Sequence, residues 1–356
     1  MKLALVYDRI NKWGGAERLL THLHALWPKA PVYTGVYHPS TTPWAKDWDI
    51  RPSFVNCLPF ASANHEWYFW LMPLAFETFN FDGFDTIFSI CSDFTKGVIT
   101  NPRQKHISYI LSPTRYLWLA PNEYKQWHNL FFMPVILNKL RYWDYLAAQR
   151  PDEVITISEH VRRQIQKYYH RDATVIYPPT DTDFFKPKVY PERSRGASYF
   201  LIVSRLVPHK NLELAITAFN QLRLPLKIVG TGRHEQRLRR LAGPTIEFIG
   251  KLTDRQLLGY YQDCRGLIFP GEESFGLTMV EAQACGKPVI ALSRGGATEI
   301  INYETGILFD SPTISSLVTA VANFPKHRLS WQACRHNAQR FSLDKFNRAM
   351  KQTQTL

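Results

Sequence analysis

Two glutamates, Glu273 and Glu281, stand seven residues apart within Phe269-Pro-Gly-Glu-Glu-Ser-Phe-Gly-Leu-Thr-Met-Val-Glu-Ala-Gln-Ala-Cys-Gly-Lys-Pro-Val-Ile-Ala291. An apolar run ends at Phe269, a Gly-containing loop carries Glu272 and Glu273, and a helical stretch follows from about Gly276 to Gly286. A helix start presents unpaired N–H groups and a positive dipole end, which suits a phosphate. Carboxylates in the loop and one to two turns into the helix can accept hydrogen bonds from sugar hydroxyls. Taken alone, two such acids are equally an ordinary surface acid and a helix-start acid. A second candidate is Ser204-Arg205-Leu-Val-Pro-His-Lys210-Asn211, where an Arg and a Lys straddle a strand-to-helix turn. Two cations there can clamp a diphosphate and stabilise the charge that builds on it as a bond to it breaks. In isolation the same pair reads as a solvated basic loop. Gly230-Thr-Gly232 after an apolar run, and Gly14-Gly15 in Trp13-Gly-Gly-Ala-Glu17, allow close backbone approach to a ligand, or are simply tight turns.

These residues need a frame, and the chain supplies one. Strand-like runs at 3–7, 86–90, 106–110 and 153–157 alternate with helical patterns such as 16–27 and 159–169, the latter opened by Ser158 as N-cap. A Pro-rich stretch, Tyr177 to Pro191, interrupts the rhythm. It restarts with a strand at 199–204, a helix at 212–222, and strands at 226–229, 246–249, 266–269 and 288–291. A β-then-α rhythm implies parallel sheets covered on both faces by helices. Two doubly wound α/β domains in tandem are predicted: residues 1–180, a linker at 181–198, and residues 199–335. A C-terminal helix over 336–356 is predicted to cross back to the first domain. Ligands of such folds sit at the carboxyl ends of the strands, with the cleft between domains as the default site.

Composition removes several classes. The chain has 356 residues, 45% of them hydrophobic and 21% charged, so it is not predominantly disordered. No apolar run reaches the roughly 18 residues that span a bilayer, and the N-terminus reads as a strand, so a cytoplasmic protein is expected. Five cysteines, odd in number and widely spaced, imply neither a disulfide framework nor a zinc site, and most are expected to be buried free thiols. The net charge of +13, heavier in the second half, suggests an anionic partner but no nucleic-acid motif accompanies it. Asp181-Thr-Asp183 lies in the Pro-rich stretch with no strand directly before it, and is not read as a metal site. GxGxxG and GxxxxGK[ST] are absent, which weakens dehydrogenase and P-loop readings.

As a combined pattern, the two glutamates with Phe275-Gly276-Leu277 between them resemble the E-x7-E signature of retaining glycosyltransferases of the GT-B fold, family 4. The resemblance runs from Val6 to about Phe346. It implies an α/β chain of two Rossmann-like, doubly wound parallel-sheet domains facing a cleft, a first domain for the acceptor and a second for the nucleotide sugar. It also implies a metal-independent hexosyltransferase with no cofactor. By the resemblance, Glu273 contacts the donor sugar near its reacting face and Glu281 holds the ribose. Arg205 and Lys210 bind the diphosphate, and Phe275, Gly276, Leu277 and Thr278 meet sugar hydroxyls and phosphate. Gly230 resembles the family's glycine turn, and Lys251-Leu252 the loop that reads the base. Gly14, Gly15, Lys96 and Arg115 fall in segments similar to those lining the phosphate and acceptor side, although Arg115 is equally a structural ion-pair residue. The Gly-Gly-Ala-Glu opening and Ser112-Pro-Thr-Arg-Tyr-Leu-Trp118 look most like the mannosyltransferase branch of surface polysaccharide synthesis, with GDP-mannose as donor and a glycan or lipid-linked acceptor.

One departure stands out. Many relatives carry a His where this chain has Leu111, and His106 is not promoted to that role. The loss leaves open a non-catalytic nucleotide-sugar-binding subunit, and the shared fold leaves open a sugar-nucleotide epimerase. The aromatic belt from Phe54 to Phe84, including Trp67, Tyr68, Phe69, Trp70, Phe76, Phe79 and Phe81, is mostly core in this reading. Its alternative is an apolar lip that makes peripheral contact with an anionic membrane at the inner face of the plasma membrane.

Overall fold

Leu3-Ala-Leu-Val-Tyr-Asp-Arg-Ile10 forms the first strand, β1, and only Arg9 is less than fully buried. A strand buried on both faces belongs inside a parallel sheet. The computed structural model, which describes residues 2–119, 133–188, 199–327 and 329–353, places it at the centre of one. The contact pattern divides the chain into two units, Met1–Tyr177 and Pro178–Leu356.

The first unit is built on seven strands: β1, β2 (Val32–Tyr37), β3 (Ile50–Pro52), β4 (Thr86–Cys91), β5 (Lys105–Ile110), β6 (Glu153–Thr156) and β7 (Thr174–Val175). Their order is β3-β2-β1-β4-β5-β6-β7, and β1 pairs in parallel with β2 (Leu5 opposite Val32) and β4 (Leu3 opposite Thr86). The helix Gly15–Leu26 buries Leu19, Leu20 and Leu23 on one face. The helix Glu159–Tyr169 is capped as predicted, with the Val161 N–H donating to Ser158 Oγ at 3.1 Å. Strands β2, β3 and β7 were not predicted. β3 and β7 are two or three residues long, too short for any periodicity, and Gly35 interrupts β2.

The second unit holds β8 (Phe200–Val203), β9 (Leu226–Val229), β10 (Ile246–Gly250), β11 (Leu267–Phe269), β12 (Val289–Leu292) and β13 (Gly306–Phe309), in the order β10-β9-β8-β11-β12-β13. All pairs are again parallel. Phe200, Ile202, Ile228, Ile268 and Ile290 pack with Leu212, Ile216 and Phe219 of the helix Leu212–Leu222 in one core. The described part of the expected linker is fastened to this unit. The Thr180 N–H donates to the Phe341 carbonyl at 2.8 Å, and the Arg335 guanidinium donates to the carbonyls of Phe185 (2.8 Å) and Ala284 (3.1 Å). Residues 189–198 of that linker lie outside the described residues, as do 354–356 of the expected C-terminal helix; the last described helix runs Leu343–Gln352. Asp181 accepts the N–H groups of Asp183 (3.1 Å) and Phe184 (2.9 Å), so the first acid of the D-x-D caps its own turn.

Cys91, Cys264, Cys285 and Cys334 are buried free thiols, and Cys57 is an exposed one. The aromatic belt splits. Phe76 and Phe81 are core, and Phe79 packs edge-on against Phe76. Trp67 and Trp70, expected in the core with them, are exposed, as are Phe54, Phe60 and Leu74. No helix among the described residues is long and apolar enough to cross a membrane.

His106 is fully buried in β5. Ser89 Oγ donates to Ser108 Oγ at 2.9 Å, so it accepts from His106 Nε2 at 2.9 Å, which fixes the tautomer. His106 Nδ1 has no hydrogen-bond partner among the described residues, so a second proton there would be an uncompensated buried charge. Burial holds the imidazole at about 3, below its ordinary 6.5. Between those values the unfolded chain binds a proton that the folded chain does not, so stability falls as pH falls through 6.5. Urea melts are expected to lose about 1.4 kcal/mol per pH unit from this residue between pH 6 and 4. A His106→Gln variant should show a shallower pH slope; an unchanged slope would refute the assignment.

Candidate active site

In the second unit the parallel strands all end at one edge, and four of the loops leaving that edge carry the residues singled out above. The loop after β8 is tied to its neighbour: the Leu206 N–H donates to the Thr231 carbonyl, and the His234 N–H to the Leu206 carbonyl, at 3.0 and 3.1 Å. Gly230 makes this closeness possible. Its φ is +129°, and a Cβ there would lie 1.9 Å from the Ser204 carbonyl oxygen. The Gly230 N–H in turn donates to the Gly250 carbonyl at 2.8 Å, which brings the Lys251-Leu252 loop alongside.

The loop after β8 then makes a short turn, Pro208–Lys210, before its helix. Lys210 is buried, and its ammonium pairs with the Glu273 carboxylate from the loop after β11. The Glu273 carbonyl accepts the Gly296 N–H at 2.9 Å, so the loop after β12 braces the same residue. Gly276, at φ +109°, turns the chain into the helix Leu277–Ala284, whose first N–H groups have no side-chain cap. Just inside that start, Thr278 Oγ1 is buried with no hydrogen-bond partner among the described residues. A buried hydroxyl without a partner costs about 1–3 kcal/mol, and this one lies in the first turn of the helix that the Glu273 loop leads into.

The structure thus brings Lys210, Glu273, Gly276, Leu277 and Thr278 to one edge. Phe275 turns its ring inward onto Phe341 at 5.4 Å, leaving its backbone at the loop. Arg205 lies on the same loop as Lys210 but is exposed and makes no ion pair among the described residues. Glu281 is buried, and its Oε2 accepts the Tyr261 hydroxyl at 2.7 Å. Tyr261 was not singled out in the sequence; it comes from the helix Asp254–Asp263, and no spacing relates it to Glu281. No cluster of three or more His, Cys, Asp or Glu placed for a metal occurs among the described residues.

In the first unit, Gly14 caps the helix Gly15–Leu26 with an extended backbone, directly after the first strand's loop. Beneath that loop, the buried Glu17 accepts from the Tyr7 hydroxyl at 2.7 Å. Asp8 organises the opposite loop, accepting the N–H groups of Ser92 (2.6 Å), Asp93 (3.0 Å), Phe94 (2.7 Å) and Thr95 (3.2 Å). Lys96, expected to line an acceptor site, is turned inward. Its ammonium bonds Asp144 at 2.5 Å, the Asp93 carbonyl at 2.6 Å and Thr114 Oγ1 at 3.2 Å. Burial works against that charge, but the Asp144 carboxylate holds its pKa well above the ordinary value. Asp144 also accepts from Thr114, Trp118 and Tyr169, each at 2.7 Å, so one carboxylate fixes the whole Ser112–Trp118 segment. Arg115 opens the one-turn helix of that segment and is half-buried. Leu111 is buried, with its N–H donating to the Cys91 carbonyl at 2.8 Å.

A further polar cluster, absent from the sequence reading, lies where β1 ends. Arg9 pairs with Asp93, and Asn11 Nδ2 donates to the Ser62 carbonyl (3.1 Å) while lying 3.2 Å from His65 Nδ1. Its members come from positions more than 80 residues apart, beyond the reach of any local motif.

Residues 188–341 match the family model for glycosyl transferases group 1. Among curated relatives, the GDP-mannose-dependent monoacylated alpha-(1-6)-phosphatidylinositol monomannoside mannosyltransferase of Corynebacterium glutamicum is 34% identical over 193 residues, 47% of this chain and 51% of that protein. The O-antigen chain mannosyltransferase C of Escherichia coli is 30% identical over 173 residues, 45% of each chain. The chain spans about half the length of these relatives. The crystal structure of Anabaena HepE in complex with UDP matches at a TM-score of 0.72, with 19% identity and all of both chains covered. The sucrose-phosphate synthase of Thermosynechococcus elongatus matches at 0.77, with 18% identity, 100% of this chain and 98% of that one. The match to the group 1 model falls within the second unit, and the fold is GT-B.

Gly230→Ala is expected to lower the unfolding free energy by about 2–4 kcal/mol in urea melts, because Ser204 must move. Gly259→Ala, in the middle of the helix Asp254–Asp263 with no atom within 4 Å of a new Cβ, should be neutral or stabilising. Equal effects at the two positions would refute the close-approach reading of Gly230.

Proposed function

We propose that the protein is a retaining, metal-independent glycosyltransferase that moves a hexose, mannose from GDP-mannose, to a glycan or lipid-linked acceptor in surface polysaccharide synthesis. The observation that carries it is the Lys210–Glu273 pair in the loops that precede the helices Leu212–Leu222 and Leu277–Ala284, the second of which starts with no side-chain cap. Cations, orphan N–H groups and a carboxylate within one loop cluster are what a diphosphate joined to a sugar requires. The group 1 domain and the mannosyltransferase names of the relatives support the donor class.

In this mechanism Arg205 and Lys210 hold the diphosphate, and the helix N-terminus faces its charge. Glu273 holds the sugar hydroxyls near the reacting carbon. The bond from the anomeric carbon to the phosphate oxygen breaks, the acceptor oxygen bonds on the same face, and its proton passes to the leaving phosphate. Negative charge grows on that phosphate in the transition state, so cations fixed beforehand lower the barrier. Glu281, oriented by Tyr261, receives the ribose. The test is thermal stabilisation by GDP, UDP, ADP and their sugars with EDTA present, where saturation at 100 times the dissociation constant adds about 2.7 kcal/mol. Glu281→Ala should weaken the donor shift and Glu273→Ala should lower turnover more; wild-type behaviour in both variants would overturn the assignment.

The reading places the protein in the cytoplasm, in peripheral contact with an anionic membrane at its inner face, supported by the exposed Phe54, Phe60, Trp67, Trp70 and Leu74. No Lys or Arg occurs between Arg51 and Lys96, so apolar insertion, more than charge, should drive that contact. The protein should float with vesicles of four parts phosphatidylcholine to one part phosphatidylserine, and raising salt to 0.5 M should leave most of it bound. No flotation at any salt removes the membrane from the reading.

A further inference from the structure

Lys210 and Glu273 serve opposite ends of one ligand in the reading above, the ammonium its diphosphate and the carboxylate its sugar, yet the fold pairs them with each other. The pair is largely withdrawn from water, with the Lys210 side chain 10% exposed and that of Glu273 30%. Both backbones are held. A Cβ on Gly271 would lie 3.1 Å from Lys210 Cα, and one on Gly295 only 2.2 Å from the Glu273 carbonyl oxygen. The loops after β8, β11 and β12 thus meet main chain to main chain, and the Gly296 N–H bond to the Glu273 carbonyl, at 2.9 Å, adds to the hold. Any exchange of partners falls to the side chains, the long stem of the lysine and the shorter one of the glutamate.

A diphosphate that takes the Lys210 ammonium must take it from Glu273. Phosphate and carboxylate then stand beside one cation, and a carboxylate stripped of its counter-charge in a partly desolvated place raises the free energy of the complex. A nucleotide sugar carries its own remedy, because sugar hydroxyls next to the diphosphate donate to the carboxylate that the lysine leaves. A nucleoside diphosphate has no such donors at that end. Arg205 presents the opposite case: it is exposed and makes no ion pair among the described residues, so a phosphate engages it without displacing a carboxylate there.

We infer that the Lys210–Glu273 pair is an exchange latch. It makes the site favour a nucleotide sugar over the spent nucleoside diphosphate, and it hastens the departure of the latter, because Glu273 reclaims Lys210 once the sugar has gone. The latch rests on the transferase reading above and adds to it the means by which the site tells substrate from product.

The test is calorimetric titration of the full chain with GDP and GDP-mannose, or with UDP and UDP-glucose where the uridine pair gives the larger thermal shift. Glu273→Gln keeps the side chain's shape and removes its charge. It should bind the nucleoside diphosphate about tenfold more tightly, the worth of one partly buried charge pair, and lose most of the wild-type preference for the nucleotide sugar. Glu272→Gln removes the same charge from the exposed neighbouring residue and should change diphosphate binding less than about twofold. Lys210→Met should cost the nucleoside diphosphate little in the wild-type background and about tenfold more beside Glu273→Gln, where the ammonium is no longer committed to a carboxylate. If Glu273→Gln does not fold, Lys210→Met against Arg205→Met decides: the buried Lys210, already paired, should cost the nucleoside diphosphate less than the exposed Arg205. Unchanged or weaker diphosphate binding in Glu273→Gln, an equal gain in Glu272→Gln, or a larger loss from Lys210→Met than from Arg205→Met each overturns the latch and leaves the transferase reading standing. Wild-type protein that binds neither the nucleotides nor their sugars refutes that reading, and the latch with it.

Discussion

Parallel pairing is the constraint on which both units depend. A parallel strand cannot return through a tight turn, so each strand must be followed by a crossover that packs on a face of the sheet. All strands then start at one edge and finish at the other. The loops leaving the finishing edge are free of the crossover's packing demands and become neighbours, although they are distant in sequence. In the second unit this places the loops after β8, β9, β10, β11 and β12 side by side, and Lys210 meets Glu273 across 63 positions of chain. In the first unit it places Arg9 against Asp93 in the same way.

The two edges solve the resulting crowding differently. In the second unit the loops approach backbone to backbone, and glycine is the means: Gly230 sits where any side chain would strike the Ser204 carbonyl. The groups left at the surface are backbone N–H groups, a Lys, a Glu and a hydroxyl, which is a polar lining with little side-chain bulk. In the first unit buried carboxylates do the work. Asp8 gathers four N–H groups of one loop, and Asp144 gathers four side-chain donors around another. A carboxylate so surrounded is anchored, but it is unforgiving: removing one partner of a buried ion pair such as Lys96–Asp144 typically costs about 3–5 kcal/mol. Lys96 is therefore a fixture of the loop.

Local physics made much of this legible in advance. The strands of both cores are short runs of β-branched and aromatic residues, the helices are amphipathic, and Ser158 announces its helix by capping chemistry that needs only three residues of context. The glycines and the two spaced glutamates carry their meaning in their neighbours, so the loops at the second unit's edge could be read residue by residue. The edge strands β3 and β7 escaped because two or three residues hold no period, and Gly35 hid β2. Apolar character alone predicts burial for Trp67 and Trp70, but which face of a loop is covered depends on what packs against it, and both are exposed.

The sequence by itself determined the alternating α/β architecture, the two-unit organisation and the loops that carry Lys210, Glu273 and Glu281, because each follows from periodicity, turn chemistry or spacing within some twenty residues. Only the tertiary structure decided that Lys96 is buried on Asp144, that Tyr261 bonds Glu281, that the Pro178–Phe185 stretch belongs to the second unit, and that His65 meets Asn11. These are contacts between residues from about 20 to 150 positions apart. Their partners are selected by strand order and crossover packing, and no local pattern of side chains encodes that selection.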